Sequence, residues 1–266
     1  MIATLGEYHL SNTLECIYNS TVSPHEIIVC LPPNKKINQK IHKKSYVKVV
    51  NSDLRGQVNQ RIYGLKLAVS DYVLQLDDDV LFKNNMIQNL INVLIKNNNV
   101  CCAPFFLKKN SSLPFYTNSN SFFKNLIYNF SLINNQGKIS KTGMSYGVSE
   151  TKSNIMELEW LPGACIFHHK KNLILDNYFP FNGKAYYEDI LHSKKIKERK
   201  VKLLLVYSAK LFVDDPSEEI IKQEVFKNKF RAFKIKKYVF KQYKIPYQYY
   251  YWTTLIEFLS SFKHKF

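Results

Sequence analysis

Apolar strand patterns alternate with amphipathic helix patterns over residues 1–106, and this alternation restricts the fold more than any other feature of the chain. The predicted strands are short apolar runs at residues 2–4, 26–30, 46–50, 72–76 and 100–106. Helical spacing separates them, as at Leu10, Leu14 and Ile17, with Ser11 as a candidate N-cap. Such alternation predicts an α/β fold, a mostly parallel sheet flanked by helices, whose ligands bind at the carboxyl ends of the strands.

Two more helices complete this first half, and weaker patterns follow it. Ile62, Leu65 and Val69 share one face of a helix predicted over residues 57–70, and helical spacing returns at residues 84–97. Residues 107–155 are polar, with weak periodicity and a possible short helix near 121–130. The remaining patterns predict strands on both sides of a Pro-Gly turn within 157–168, a helix at 187–197, and strands at 201–207 and 209–213.

Composition excludes several classes of protein. The chain has 266 residues, of which 45% are hydrophobic, so it can form one large domain and is not wholly disordered. Five cysteines without a CxxC pair argue against a disulfide framework or a structural zinc site and favour a reducing compartment. We see neither a signal peptide nor an apolar run of the ~18 residues that a membrane span needs. The formal net charge of +17 predicts an anionic partner, namely nucleic acid, lipid or a phosphorylated substrate.

Three consecutive acids, Asp77, Asp78 and Asp79, directly follow the predicted strand at 72–76. Adjacent carboxylates repel one another, and a cation among them relieves this repulsion. Alternate positions can direct oxygen ligands to one divalent ion that also bridges to a diphosphate. A solvated acidic turn is the other explanation, but the position after a buried strand of an α/β pattern favours a metal site.

Several segments resemble glycosyltransferases of the GT-A fold, family-two type. Residues 56–80, GQVNQRIYGLKLAVSDYVLQLDDDV, resemble the nucleotide-sugar-binding half of these enzymes. Their opening strand ends in A-T, as at Ala3 and Thr4, which the resemblance places at the nucleotide. Residues 160–165, WLPGAC, resemble the W-x-x-G-A segment at the donor sugar, and residues 187–190, YEDI, resemble the E-D motif of the catalytic base. The resemblance covers about residues 1–215.

The resemblance implies roles for the residues that match these motifs. Asp77 and Asp79 would bind Mn²⁺ or Mg²⁺, Asp78 would lie near the ribose, and Arg61 would face the diphosphate. Asp189 would deprotonate the acceptor hydroxyl. The ordinary alternatives are a surface arginine on a helix and, for the E-D pair, first-turn acids that the helix dipole favours.

Glu188, the other acid of the E-D motif, and the late metal ligand are less closely defined. Glu188 would bind the acceptor or orient the base. Where relatives carry a late histidine near the metal, this chain has VDDP at residues 213–216, so Asp215 or Asp214 would supply that ligand, or the acids simply form a turn before proline. After the second strand this chain lacks the acid that contacts the base in many relatives, and Asp53 is a weak substitute.

The last forty residues differ in composition from the rest. Residues 227–266 contain ten Lys or Arg and one acid, Glu257, interleaved with aromatic residues. Basic residues beside interfacial aromatics suit an anionic membrane surface. A helical appendage that packs its aromatics on the domain is the alternative, and we find no nucleic-acid-binding motif that would favour base stacking.

The sequence as a whole predicts a metal-dependent, inverting glycosyltransferase. The GT-A domain would span residues 1–215, with a nucleotide-sugar half at 1–106 and an acceptor half at 107–215, followed by a basic aromatic extension at 216–266. The expected partners are a UDP-sugar, a glycan or lipid-linked acceptor and an anionic membrane, without nucleic acid. The expected location is the cytoplasm or the inner face of the cell membrane. A nucleotidyltransferase on a similar sheet and a non-catalytic nucleic-acid-binding protein are the alternatives.

Overall fold

The structure is a computed structural model, and it describes most of the chain. The described backbone comprises residues 1–6, 8–37, 44–115, 136–139, 145, 147–148, 153–183, 185–214 and 218–262. Within residues 218–262, the described side chains are those of residues 228 and 230–255.

Strands and helices alternate through the first half, as the pattern predicts. The strands are β1 (Ile2–Ala3), β2 (Ile27–Leu31), β3 (Val47–Asn51), β4 (Tyr72–Leu76), β5 (Val80–Phe82), β6 (Val100–Lys108), β7 (Ile155–Leu158), β8 (Cys165–His169) and β9 (Lys202–Val213). The helices are α1 (His9–Tyr18), α2 (Gln57–Leu67), α3 (Met86–Lys96), α4 (Glu188–Glu198), α5 (Glu218–Gln242) and α6 (Tyr247–Phe262).

The chain divides into two compact units. The first comprises Met1–Phe115 and Glu150–Asp215, and the second comprises Tyr116–Ser149 and Pro216–Phe266. The first unit contains the whole sheet and α1 to α4. Helices α5 and α6 belong to the second unit.

The described strands form one sheet in the order β3-β2-β1-β4-β8-β6-β9-β5, and β7 pairs with β9. The four strands from β3 to β4 are parallel, as are β6 and β9. Strand β8 runs antiparallel to both β4 and β6, and β5 and β7 run antiparallel to β9. The predicted α/β sheet flanked by helices is confirmed, with antiparallel strands added at positions that the sequence pattern did not identify.

Burial of apolar faces explains why these segments form these elements. All five residues of β2 are buried, and Leu10, Leu14 and Ile17 of α1 form its buried stripe. Helix α2 packs on β1 and β2, whereas α3 packs on β6, β8 and β9. Ile2 pairs with Leu76, so the carboxyl ends of β1 and β4 lie side by side. This register places Thr4 beside the aspartate triplet.

Three local predictions are wrong. Ser11 is not an N-cap, because α1 begins at His9 and the Ser11 hydroxyl donates to the Tyr8 carbonyl at 2.7 Å. Val69 is exposed and lies beyond α2, which ends at Leu67 because Ala68 has an extended backbone. Residues 202–213 form one strand rather than two, with a shift in register where β9 passes Pro104 of β6.

Candidate functional site

Thr4 and Asp78 form the first part of the site, where β1 and β4 end. Thr4 is buried, and its hydroxyl donates a hydrogen bond to Asp78 Oδ2. The Gly6 amide donates to the Thr4 hydroxyl at 2.8 Å, and Thr13 donates to the carbonyl of Asp78 at 2.9 Å. Ala3, one residue earlier, is buried in β1. These bonds fix the position of Asp78 in the turn that follows β4.

Asp77 is held by the chain on two sides. Its amide donates to the carbonyl of Ala164 at 2.8 Å, which ties the triplet to the WLPGAC segment. Its Oδ1 accepts a hydrogen bond from Arg61 Nη2 at 2.5 Å and a longer one from Gln57 Nε2 at 3.4 Å. Both hydrogen bonds are made to Oδ1, so Oδ2 of Asp77 has no partner among the described side chains.

Asp79 has a different environment. It reaches the surface, and none of the described ion pairs includes its carboxylate. Partial burial of the carboxyl, together with repulsion from Asp77 and Asp78, raises the pKa of Asp79 to about 6. A cation bound at Asp79 would relieve this repulsion, so its chemistry suits a metal ligand better than that of Asp77.

The E-D pair begins helix α4. Tyr187, directly before it, has left-handed backbone with φ of 57°, a strained conformation for a bulky residue. Glu188 is buried, and both of its oxygens are occupied: Oε2 accepts from Arg61 Nη1 at 2.6 Å, and Oε1 accepts from the Tyr178 hydroxyl. Glu188 is therefore a fixed acceptor of two hydrogen bonds.

Asp189 is half-buried, and one of its oxygens is committed. Its Oδ1 accepts a hydrogen bond from the amide of Ile190 at 2.9 Å. Burial, followed by repulsion from Glu188, raises the pKa of Asp189 to about 7. A carboxylate that titrates near neutrality can accept a proton from a substrate and release it again, as a general base requires.

Arg61 joins the two acidic motifs. Its guanidinium lies between Asp77 and Glu188, residues separated by 111 positions in the chain, and it is buried. Burial alone would lower the pKa of Arg61, but the two carboxylates raise it, so the guanidinium stays charged. Its Nε is buried and has no hydrogen-bond partner among the described residues.

Close packing explains why the WLPGAC segment has a glycine at position 163. A Cβ there would lie 3.1 Å from Glu188 Oε2 and 3.2 Å from Arg61 Nη1. The Gly163 carbonyl accepts a hydrogen bond from Gln75 in β4 at 2.8 Å. The segment therefore packs directly on the ion pair, and a larger residue at position 163 would require Glu188 or Arg61 to shift by a few tenths of an ångström.

Sequence reasoning missed several residues of this site. Gln57 lies four residues before Arg61 on the same face of α2, whereas Gln60, next to Arg61 in the chain, donates through Nε2 to the carbonyls of Thr4 and Cys30 at 2.9 Å each. The spacing of Gln57 from Arg61 was a usable signal, because residues four apart share a helix face, but Gln60 carried none. Tyr178 lies outside the matched motifs and carried no signal.

The late acids are not part of the described site. Asp214 is exposed and pairs with Lys109 at 3.0 Å, and Asp215 lies outside the described residues. Asp53 is exposed as well. Among the residues that the structure describes, no three His, Cys, Asp or Glu side chains are grouped so that they could hold a metal ion.

Comparisons with known proteins identify the family and the fold. The model of the family described as "Glycosyl transferase family 2" matches residues 8–149. The fold also resembles the crystal structure of GalNAc-T7 with UDP, GalNAc and Mn²⁺, with a TM-score of 0.60 and 16% sequence identity. That match covers 82% of this chain but 43% of GalNAc-T7, so this chain spans less than half the length of that protein. No curated protein sequence matches the chain.

Proposed function

The chain belongs to glycosyl transferase family 2, and on this premise we propose that it is an inverting, metal-dependent glycosyltransferase. It would transfer a sugar from a UDP-sugar to an acceptor hydroxyl during surface glycan synthesis. The observation that carries the proposal is the pair of hydrogen bonds from Arg61 to Asp77 and Glu188, at 2.5 and 2.6 Å. This arginine unites the acids expected at the donor with those expected at the acceptor.

Asp79 and the free oxygen of Asp77 would hold Mn²⁺ or Mg²⁺, and Asp215 is the proposed late ligand. The unrelieved repulsion around Asp79 supports this choice of ligand. One or two carboxylates suffice, because such ions complete their coordination with water and substrate phosphates. When bound, the metal would neutralise charge on the departing diphosphate. The solved GalNAc-T7 complex, which contains UDP and Mn²⁺, supports the same ligand class here.

Other residues of the chain would bind the nucleotide. Asp78, fixed by Thr4, is the proposed ribose contact, and Ala3 and Thr4 would line the nucleotide site. The Nε of Arg61 is a buried donor without a partner among the described residues, and we assign it to the diphosphate side of the site. The other nitrogens of Arg61 orient Asp77 and Glu188.

Asp189 is the proposed general base, and Glu188 is its positioning residue. Both oxygens of Glu188 are occupied by Arg61 and Tyr178, whereas the second oxygen of Asp189 has no described partner. Asp189 would remove the acceptor proton while the hydroxyl attacks the anomeric carbon, on the face opposite the departing diphosphate. Attack from that face inverts the anomeric configuration.

A screen of nucleotide-sugars for slow hydrolysis in the presence of Mn²⁺ tests the proposal, because hydrolysis needs no acceptor. Release of UDP and free sugar is the expected result. Release of pyrophosphate would instead indicate a nucleotidyltransferase. Absence of hydrolysis together with absence of UDP binding, in protein that remains folded, would contradict the proposal.

A further inference from the structure

Helix α6 exposes large aromatic and aliphatic residues on one side and buries Thr253 on the other. Four large side chains lie on its outer face: Tyr247 (49% exposed), Tyr251 (63%), Trp252 (43%) and Leu255 (49%). Tyr251, Trp252 and Leu255 lie four, five and eight residues after Tyr247, which places all four side chains within one arc of the helix. Thr253, on the opposite face, is fully buried. A contiguous exposed apolar face of this kind marks an interaction surface.

The inner face of α6 is already occupied. The Tyr250 ring packs edge-on against Phe240 of α5 with ring centroids 5.8 Å apart, and its hydroxyl donates to the carbonyl of Phe233 at 3.4 Å. These contacts fix how α6 is rotated against α5. Because the inner face of α6 already packs on α5, the aromatic outer face is not the side that contacts α5.

A stripe of lysines lies beside this aromatic face. Lys234, Lys237 and Lys241 are exposed on α5, and their spacing of three and four residues places them on one side of that helix. Phe230, one turn earlier on the same side, is 85% exposed. The Lys237 ammonium lies 5.9 Å from the centroid of the Tyr247 ring, so the lysine stripe and the aromatic face meet there.

We propose that this combined surface, the lysine stripe of α5 and the aromatic face of α6, binds an anionic lipid membrane. Tyr and Trp rings are enriched at the water–lipid boundary, and each basic side chain near an anionic leaflet adds to the attraction. A second copy of the chain is disfavoured as the binding partner of this surface, because the two lysine stripes would repel each other. None of the described helices is long and apolar enough to cross a bilayer.

Vesicle co-sedimentation of the full chain tests the proposal without donor or acceptor, so its outcome is independent of sugar transfer. We expect binding to vesicles of phosphatidylcholine mixed with phosphatidylglycerol, and little binding to phosphatidylcholine alone. The triple variant Lys234→Gln, Lys237→Gln, Lys241→Gln is expected to bind about 100-fold more weakly, at roughly fivefold per lysine. The matched variant Lys66→Gln, Lys83→Gln, Lys96→Gln removes the same charge from exposed positions of the first unit and is expected to change binding less than about threefold.

Fluorescence shows whether the aromatic face itself enters the lipid. The chain has two tryptophans, and Trp160 is buried, so quenching by bromine-labelled lipid reports on Trp252. We expect quenching in the parent protein and its loss in Trp252→Phe, which keeps the packing of the ring.

Three results would overturn the proposal. The first is equal loss of binding by the two lysine variants, which would mean that net charge alone acts. The second is the absence of quenching in protein that binds. The third is displacement from vesicles by an oligonucleotide that binds more tightly, which would assign the surface to nucleic acid.

Discussion

At the scale of single residues, the site depends on which carboxylates are neutralised and which are not. Glu188 is paired with Arg61 and Tyr178, whereas the hydrogen-bond partner of Asp189 among the described residues is the backbone amide of Ile190. Two adjacent acids thus have different environments, which suits the proposed division into a fixed hydrogen-bond acceptor and a base that titrates near neutral pH.

Asp189→Asn should reduce sugar transfer by roughly 10²-fold or more, because asparagine cannot take a proton. In the parent protein the base acts when ionised, so activity should rise with pH through the Asp189 pKa of about 7. The pH–rate profile of both proteins checks this, and Glu188→Gln serves as the comparison. UDP affinity should change little, and near-normal transfer by Asp189→Asn would move the base elsewhere.

The same substitution has an opposite effect on stability. A carboxyl whose folded pKa is raised costs folding free energy when it ionises, so the parent protein loses stability as pH rises from the ordinary pKa of 3.8 to the folded pKa of about 7, and the loss is complete above that. Thermal unfolding should therefore show that Asp189→Asn gains more stability relative to the parent at pH 8 than at pH 5. Equal melting temperatures at pH 8 would contradict the burial of this charge.

Gly163→Ala should destabilise the protein by about 1–3 kcal/mol, the usual cost of overpacking. The added Cβ would lie 3.1 Å from Glu188 Oε2, and the carboxylate would have to move. The φ of Gly163 is one that alanine tolerates, so the cost is steric. Urea denaturation measures the loss. A variant as stable as the parent, with unchanged UDP affinity, would show that the ion pair adjusts freely.

At the scale of elements, helix α2 connects the strand ends to the site. Gln60→Leu should cost about 1–3 kcal/mol of stability, because it leaves the buried Thr4 carbonyl without its donor. Lys66→Leu, an exposed position on the same helix, is the control and should shift stability much less. If urea denaturation gives the two variants the same stability, the Gln60 bonds do not hold the ends of β1 and β2.

The positions of strands and helices along the chain were more predictable than the strand order and the contacts between distant residues. The sequence pattern located β2, β3, β4 and α3 because local periodicity and propensity decide them. It did not identify the antiparallel insertion of β8 between β4 and β6, because strand order is set by long-range packing. The contact of Arg61 with Glu188 was missed for the same reason. The motifs indicated which residues matter, whereas only the fold showed which of them touch.

At the scale of the whole molecule, charge and metal are expected to control binding. EDTA should abolish the thermal stabilisation that UDP produces, and Mn²⁺ or Mg²⁺ should restore it. Ligand at 100 times its dissociation constant stabilises by about 2.7 kcal/mol, which a thermal-shift assay resolves easily. Asp79→Asn should not respond to metal, whereas Asp176→Asn, another exposed acid, should behave as the parent does. If EDTA does not change the thermal stabilisation by UDP, the proposed metal dependence is wrong.

The position of Arg61 between two acids also limits which amino-acid substitutions the chain can accept during evolution. A neutral residue at position 61 would leave Asp77 and Glu188 beside each other without a counter-charge, at a site enclosed by Gly163. Replacing either acid alone would leave a buried guanidinium only half neutralised. Substitutions at these positions therefore have to occur together or in a narrow order. We therefore expect Arg61, Asp77, Glu188 and Gly163, spread over 128 residues of sequence, to be kept or exchanged as a set in related chains.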